Sequence, residues 1–180
     1  MRRPDLVADC ASCAAICCTA TSFDASEDFA CAKPAGVRCA NLTRDGRCEI
    51  HGELAARGFA GCAIYDCHGA GPRVTRAFAG RGDAAAGAER DAAFLVLRVV
   101  HELVWLLDEA ARLCPPSSEI AAEVATALAA LEALAAGPIA ALVALDLAAH
   151  EAAARGVLRR VGRALGGRRR FRLAVHRSQS

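Results

Sequence analysis

Nine of the ten cysteines lie before residue 68, and they open with the run Cys10-x2-Cys13-x3-Cys17-Cys18. Thiols this close together either oxidise to disulfides, which needs export, or stay reduced and bind metal or carry redox chemistry inside the cell. The first residues begin with Arg2 and Arg3 but lack the apolar stretch of a secretory leader, because Asp9 and the cysteines interrupt it. A cytoplasmic location is therefore expected. There, so many thiols need an ion to hold them as thiolates.

Beyond the opening run come Cys31, Cys39, Cys48, Cys62 and Cys67, in the contexts Cys39-Ala40-Asn41-Leu42, Cys48-Glu49-Ile50-His51, Gly58-Phe59-Ala60-Gly61-Cys62 and Tyr65-Asp66-Cys67. From Cys10 to about Gly71 the chain resembles the bacterial zinc- or iron-chelating cysteine-cluster family of the YkgJ type. In that family a C-x2-C-x(2,3)-CC opening is followed by C-x-x-L, C-x-I-[HY] and a further cysteine pair. It is also similar to the N-terminal module of certain bacterial pentapeptide-repeat proteins, where the module precedes a helical segment. Tandem A-[DN]-L-x-x units are missing after Leu165, and Ala40-Asn41-Leu42 is a single match. The resemblance implies a metal site held by Cys10, Cys13, Cys17, Cys18, Cys39, Cys48, Cys62 and Cys67. Cys31 and Cys114 fall outside the pattern and suit packing, Cys31 between two alanines and Cys114 before Pro115.

Eight thiolates suffice for two zinc sites of four cysteines each, for one iron-sulfur cluster with thiols to spare, or for a compact polynuclear site. Cys17 and Cys18 bear on the choice. Adjacent side chains point in different directions, so the pair suggests two centres, or one ligand beside a packed thiol. The cofactor expectation is zinc or iron, iron-sulfur included. A structural zinc site contributes about 10 to 16 kcal/mol, enough to hold a glycine-punctuated segment without a large core.

Other chemistry finds less support. His51 and His68 lie near Cys48 and Cys67, yet each suits a hydrogen-bonded structural histidine better than a ligand. His101-Glu102-Leu103-Val104-Trp105 has Trp105 where a metalloprotease helix needs its second histidine. Neither G-x-S-x-G nor a phosphate-binding G-x4-G-K-[ST] occurs. No catalytic constellation stands beyond the cysteines. A thiol or iron-sulfur redox enzyme is the alternative, with Tyr65, Asp66 and His68 beside Cys67 as acid-base groups.

The net charge is only +2, but after Glu151 no acidic residue follows while Arg155, Arg159, Arg160, Arg163, Arg168, Arg169, Arg170, Arg172 and Arg177 do. That end admits an interaction module, although nucleic acid is disfavoured by the near absence of aromatic residues there. The single lysine, Lys33, and the abundance of alanine and arginine point to genome base composition rather than to function. The apolar stretch from Phe94 to Leu107 is broken by Arg98, His101 and Glu102, which excludes a membrane span there.

The elements that must position these residues follow from periodicity. The expected architecture is mainly α: a small irregular Cys-rich metal-binding module over residues 1–72, a linker over 73–88, an antiparallel three-helix domain over 89–166 and a basic tail over 167–180. Phe94, Leu97, Val100, Val104, Leu107 and Ala111 recur at helical spacing, and Pro115-Pro116 ends that run. Ser117 or Ser118 caps a second helix carrying Ile120, Val124, Leu128, Leu131 and Leu134. A third runs from Pro138 through Leu142, Leu145, Ala149, Leu158, Val161 and Leu165 to Gly166-Gly167. The helical domain would supply stability or a docking surface for a protein partner.

Overall fold

The computed structural model describes residues 6–81 and 84–165, with the side chains of 84–86 set aside. Among them are seven α-helices: α1 Cys17–Ala20, α2 Ala60–Ile64, α3 Ala70–Ala77, α4 Ala84–Leu113, α5 Glu119–Ala136, α6 Ile139–Val143 and α7 Leu147–Ala164. Only isolated bridges stand for β structure among the described residues, Phe23 with Lys33 and Leu42 with Cys48. The protein is thus mainly α, an irregular cysteine-rich segment followed by a helical bundle.

Helix α4 organises the molecule. At 30 residues it is about 45 Å long, and its Ala93, Phe94, Leu97, Val100, Leu103, Val104, Leu107 and Ala110 are buried along one face. The rhythm of threes and fours keeps that stripe continuous. Pro115 and Pro116 cannot continue the helix. Ser118 then caps α5, its Oγ accepting from the Ala121 amide at 3.2 Å and donating to the Pro115 carbonyl at 2.7 Å. The turn of residues 114–118 returns α5 antiparallel along α4. Helix α7 packs against both, burying Ala154, Val157, Leu158 and Val161, and Arg160 Nε reaches Glu123 Oε2 on α5 at 2.6 Å.

Two departures from the sequence expectation have local causes. Residues 73–88, expected as a linker, contain most of α3 and the first turn of α4. Gly69-Ala70-Gly71-Pro72 looks like a break, but Pro72 sits in the first turn of α3, where its missing N–H forfeits no helical hydrogen bond. The third helix is divided into α6 and α7 by residues 144–146, because Asp146 caps a new start, its carboxylate accepting from the Ala149 amide at 3.2 Å. The basic stretch 167–180 lies outside the described residues.

The hydrophobic core crosses the boundary drawn at residue 72. Leu6, Ile16, Ala20, Cys67, Ala70, Val74 and Phe78 belong to the same buried cluster as the bundle residues. Polar links reinforce it: Thr19 Oγ1 meets Asp91 Oδ1 at 3.3 Å, and Arg73 Nη2 donates to the Gly137 carbonyl at 2.9 Å. The cysteine segment is seated on α4.

Candidate metal centre

The opening run folds as a 3-10 turn over Cys10–Ser12, whose N-terminal amides on Ala11 and Ser12 donate to the Asp9 carboxylate at 3.1 and 3.2 Å. Ala15 then adopts a φ of 52°, a left-handed conformation that costs a residue with a Cβ about 1 to 2 kcal/mol. That reversal starts α1, with Cys17 and Cys18 in its first turn. Ile16, fully buried beneath them, fixes α1 on the core.

Adjacent Cys17 and Cys18 look toward different neighbours. Cys17 lies in the field of Cys13 and Cys10 as well as of Cys18. Cys10 in turn feels Cys13 and Cys67, and also Cys18. Cys67 and Cys13 converge on α3: a Cβ at Gly71 would stand 2.7 Å from Cys13 Sγ and 3.6 Å from Cys67 Sγ. The Thr75 hydroxyl reaches Cys13 Sγ at 3.7 Å, and the amides of Gly69 and Gly71 donate toward the Cys67 sulfur. A side chain at position 71 would force the Cys13 sulfur to shift.

On the other side, Cys62 lies in the field of Cys18, Cys39 and Cys48, and Cys48 in that of Cys18 and Cys39. Three backbone connections build this group. The Cys39 amide donates to the Cys18 carbonyl at 2.9 Å. The Leu42–Cys48 bridge, with the Glu49 amide donating to Asn41 O at 2.9 Å, folds the Cys48 segment back on Cys39. Cys62 arrives through the docking of residues 28–30 on 58–61: the Ala30 amide donates to Gly58 O at 2.7 Å and the Gly61 amide to Asp28 O at 3.1 Å. A Cβ at Gly61 would meet the Phe29 ring at 2.3 Å, and Phe29 is itself stacked on Phe23 with centroids 4.4 Å apart.

The eight family-pattern cysteines thus lean toward two overlapping sets, Cys10, Cys13, Cys17, Cys67 and Cys18, Cys39, Cys48, Cys62, joined where the Cys17 thiol donates to Cys18 and where Cys10 also feels Cys18. All ten cysteines are free thiols. Cys31 is exposed and Cys114 buried, its thiol pushed up by that burial. Loss of hydration raises the thiols of Cys10, Cys48 and Cys67, and that of Cys62 to about 11. Cys18 moves the other way: the Cys17 thiol donates to it, and Lys33 and Arg38 favour its charge. Cys17, which holds the shared proton, is raised.

Among the described residues, no group of three or more His, Cys, Asp or Glu side chains is arranged as a ready-made metal cage. In donor type and number the cysteines nonetheless fit zinc or iron, both of which thiolates hold. The sulfurs stand here as thiols, those of Cys13, Cys17, Cys18, Cys48 and Cys67 hydrogen-bonded, and ligation requires side-chain rotation and proton loss.

The histidines are occupied in packing and capping roles. His68 packs against Trp105 of α4, ring centroids 5.6 Å apart and planes tilted by 32°, and its carbonyl accepts from Nδ1 of buried His101 at 2.6 Å. Its amide donates to the Asp66 carboxylate at 2.7 Å, so Asp66 is engaged in this turn. His51 is exposed in the 3-10 turn His51–Glu53.

Lys33 is what sequence reasoning passed over. It is only 6% exposed, and its Nζ donates among the carbonyls of Thr19, Thr21, Pro34 and Val37. Its singularity in the chain was the available signal.

The fold and these thiols define a helical, cysteine-rich protein. The chain is similar to an uncharacterized protein of Bacillus subtilis (strain 168), YybG, with 37% identity over 110 residues, 59% of this chain and 39% of the relative. It therefore spans well under half of that relative's length. No family model matches the chain, and no solved structure does. Among the described residues, no helix is long and apolar enough to cross a membrane.

Proposed function

We propose that this is a metal-binding protein in which Cys10, Cys13, Cys17 and Cys67 hold one zinc or iron centre and Cys18, Cys39, Cys48 and Cys62 hold a second. The observation that supports it best is that the chain brings Cys67 to the opening run Cys10, Cys13, Cys17 at Gly71, and Cys39, Cys48 and Cys62 from separate loops toward Cys18. Four thiolates per ion is the usual closed shell of a structural zinc site. A metal there would supply cross-links between α1, α2 and the loops that carry the other cysteines. The bundle would serve as support and as a docking surface for a protein partner in the cytoplasm.

Metal-bound thiolates resist alkylation until the ion is removed, whereas disulfides ignore chelators and need a reductant. Alkylation mapped by mass spectrometry on anaerobically purified protein tests this. Exposed Cys31 reacts directly, and the eight candidate ligands react fully only with a strong chelator and denaturant. Ligands that alkylate equally without chelator, or that arrive already linked, overturn the proposal.

A further inference from the structure

A buried ammonium is costly unless charge and hydrogen bonds surround it. Lys33 has the hydrogen bonds: Nζ lies 3.3 Å from Thr19 O, 3.1 Å from Pro34 O and 2.9 Å from Val37 O, and it also donates to Thr21 O. Those carbonyls are neutral. The carboxylate that acts on Lys33 belongs to Asp91, and Asp91 is already held by Arg90 at 2.8 and 3.0 Å. The Phe23 ring faces the ammonium with its centroid 5.7 Å from Nζ, and the sulfurs of Cys39, Cys18 and Cys17 also act favourably on it. Its partners also place it: Thr19 follows Cys18 directly, Val37 lies two residues before Cys39, and the Cys39 amide bonds to the Cys18 carbonyl at 2.9 Å.

We propose that Lys33 is a positioning residue and built-in counter-cation for the Cys18, Cys39, Cys48, Cys62 centre, clamping the end of α1 to the loop that carries Cys39. A divalent ion on four thiolates carries a net charge of −2 in that centre, which the ammonium beside it partly cancels. The inference rests on the metal assignment above and extends it to one of the two centres. Groups around a metal site, though not ligands, typically shift its affinity about 10- to 100-fold.

The test is a cobalt(II) titration of the full-length, metal-stripped, reduced chain, read by thiolate-to-cobalt charge-transfer absorption, for the parent protein, Lys33→Gln and Lys33→Arg. Gln retains N–H donors for the carbonyls without the charge. Arg retains the charge. The parent should bind two equivalents. In Lys33→Gln one equivalent should weaken about tenfold or more with its charge-transfer band shifted, the other should be unchanged, and helical circular dichroism should persist. Lys33→Arg should restore the weakened equivalent. Two unchanged equivalents in Lys33→Gln, equal weakening of both, or failure of Lys33→Arg to restore binding would overturn the Lys33 assignment. If Lys33→Gln does not fold, Lys33→Arg decides alone, with parent-like binding of both equivalents as support and selective loss of one as refutation. Absence of charge-transfer absorption in the parent protein would instead sink the metal assignment itself.

Discussion

At the scale of single residues, the thiols themselves set the pH behaviour. Cys62 and buried Cys67 keep their protons to higher pH in the fold than the ordinary thiol value of 9.0, Cys62 to about 11. A pKa raised by folding gives stability that is complete below the unfolded value and lost as pH climbs through the folded one. The metal-free chain should therefore melt at lower temperature as pH rises from 9 toward 11. Metal inverts the sign, since ligation needs thiolates, so affinity should fall between about pH 8 and about pH 6. Competition titrations and melting curves across that range check both, and pH-independent affinity would contradict thiolate ligation. At this scale the sequence singled out the family-pattern cysteines, and the adjacency of Cys17 and Cys18 already raised the prospect of two centres. It did not show the role of Lys33, because a buried cation is recognisable only from the carbonyls that the fold wraps around it.

At the scale of elements, the cysteine segment is built by close approach rather than by long regular structure. Gly61 lies against a Phe29 ring that is stacked on Phe23 and meets Phe59 edge-on at 6.3 Å. Gly61→Ala forces an atom into that contact, an overpacking that costs about 1 to 3 kcal/mol. The variant should melt earlier and lose metal from the Cys62 group, with the Cys67 group retained, as a metal count on the purified variant would show. Helices α4 and α5 were legible because their apolar stripes keep a helical period and Pro115, Pro116 and Ser118 mark their ends. Helix α3 was not: its first turn of small residues and proline resembles a loop, and only the sulfurs against Gly71 explain that composition. The split between α6 and α7 was hidden likewise, since both pieces continue one apolar period.

At the scale of the whole molecule, the buried cluster runs without interruption from Leu6 and Ile16 through Val74 to α4, α5 and α7. Composition divides the chain near residue 72, and packing joins it again. Phe94, fully buried on α4, belongs to that shared core, and Phe94→Ala should cost about 3 to 5 kcal/mol. Because α1 and α3 rest on the same helix, this variant should also release metal at lower denaturant concentration than the parent, with helix loss and metal loss coinciding. Metal retained after the bundle has unfolded would show two independent units. The central claim, two centres on eight thiols, is tested most directly by elemental analysis of anaerobically purified full-length protein against its measured concentration. Two zinc ions per chain, or iron in amounts that fill two centres, is the predicted result; metal at trace level in protein whose thiols are intact and reduced would contradict it.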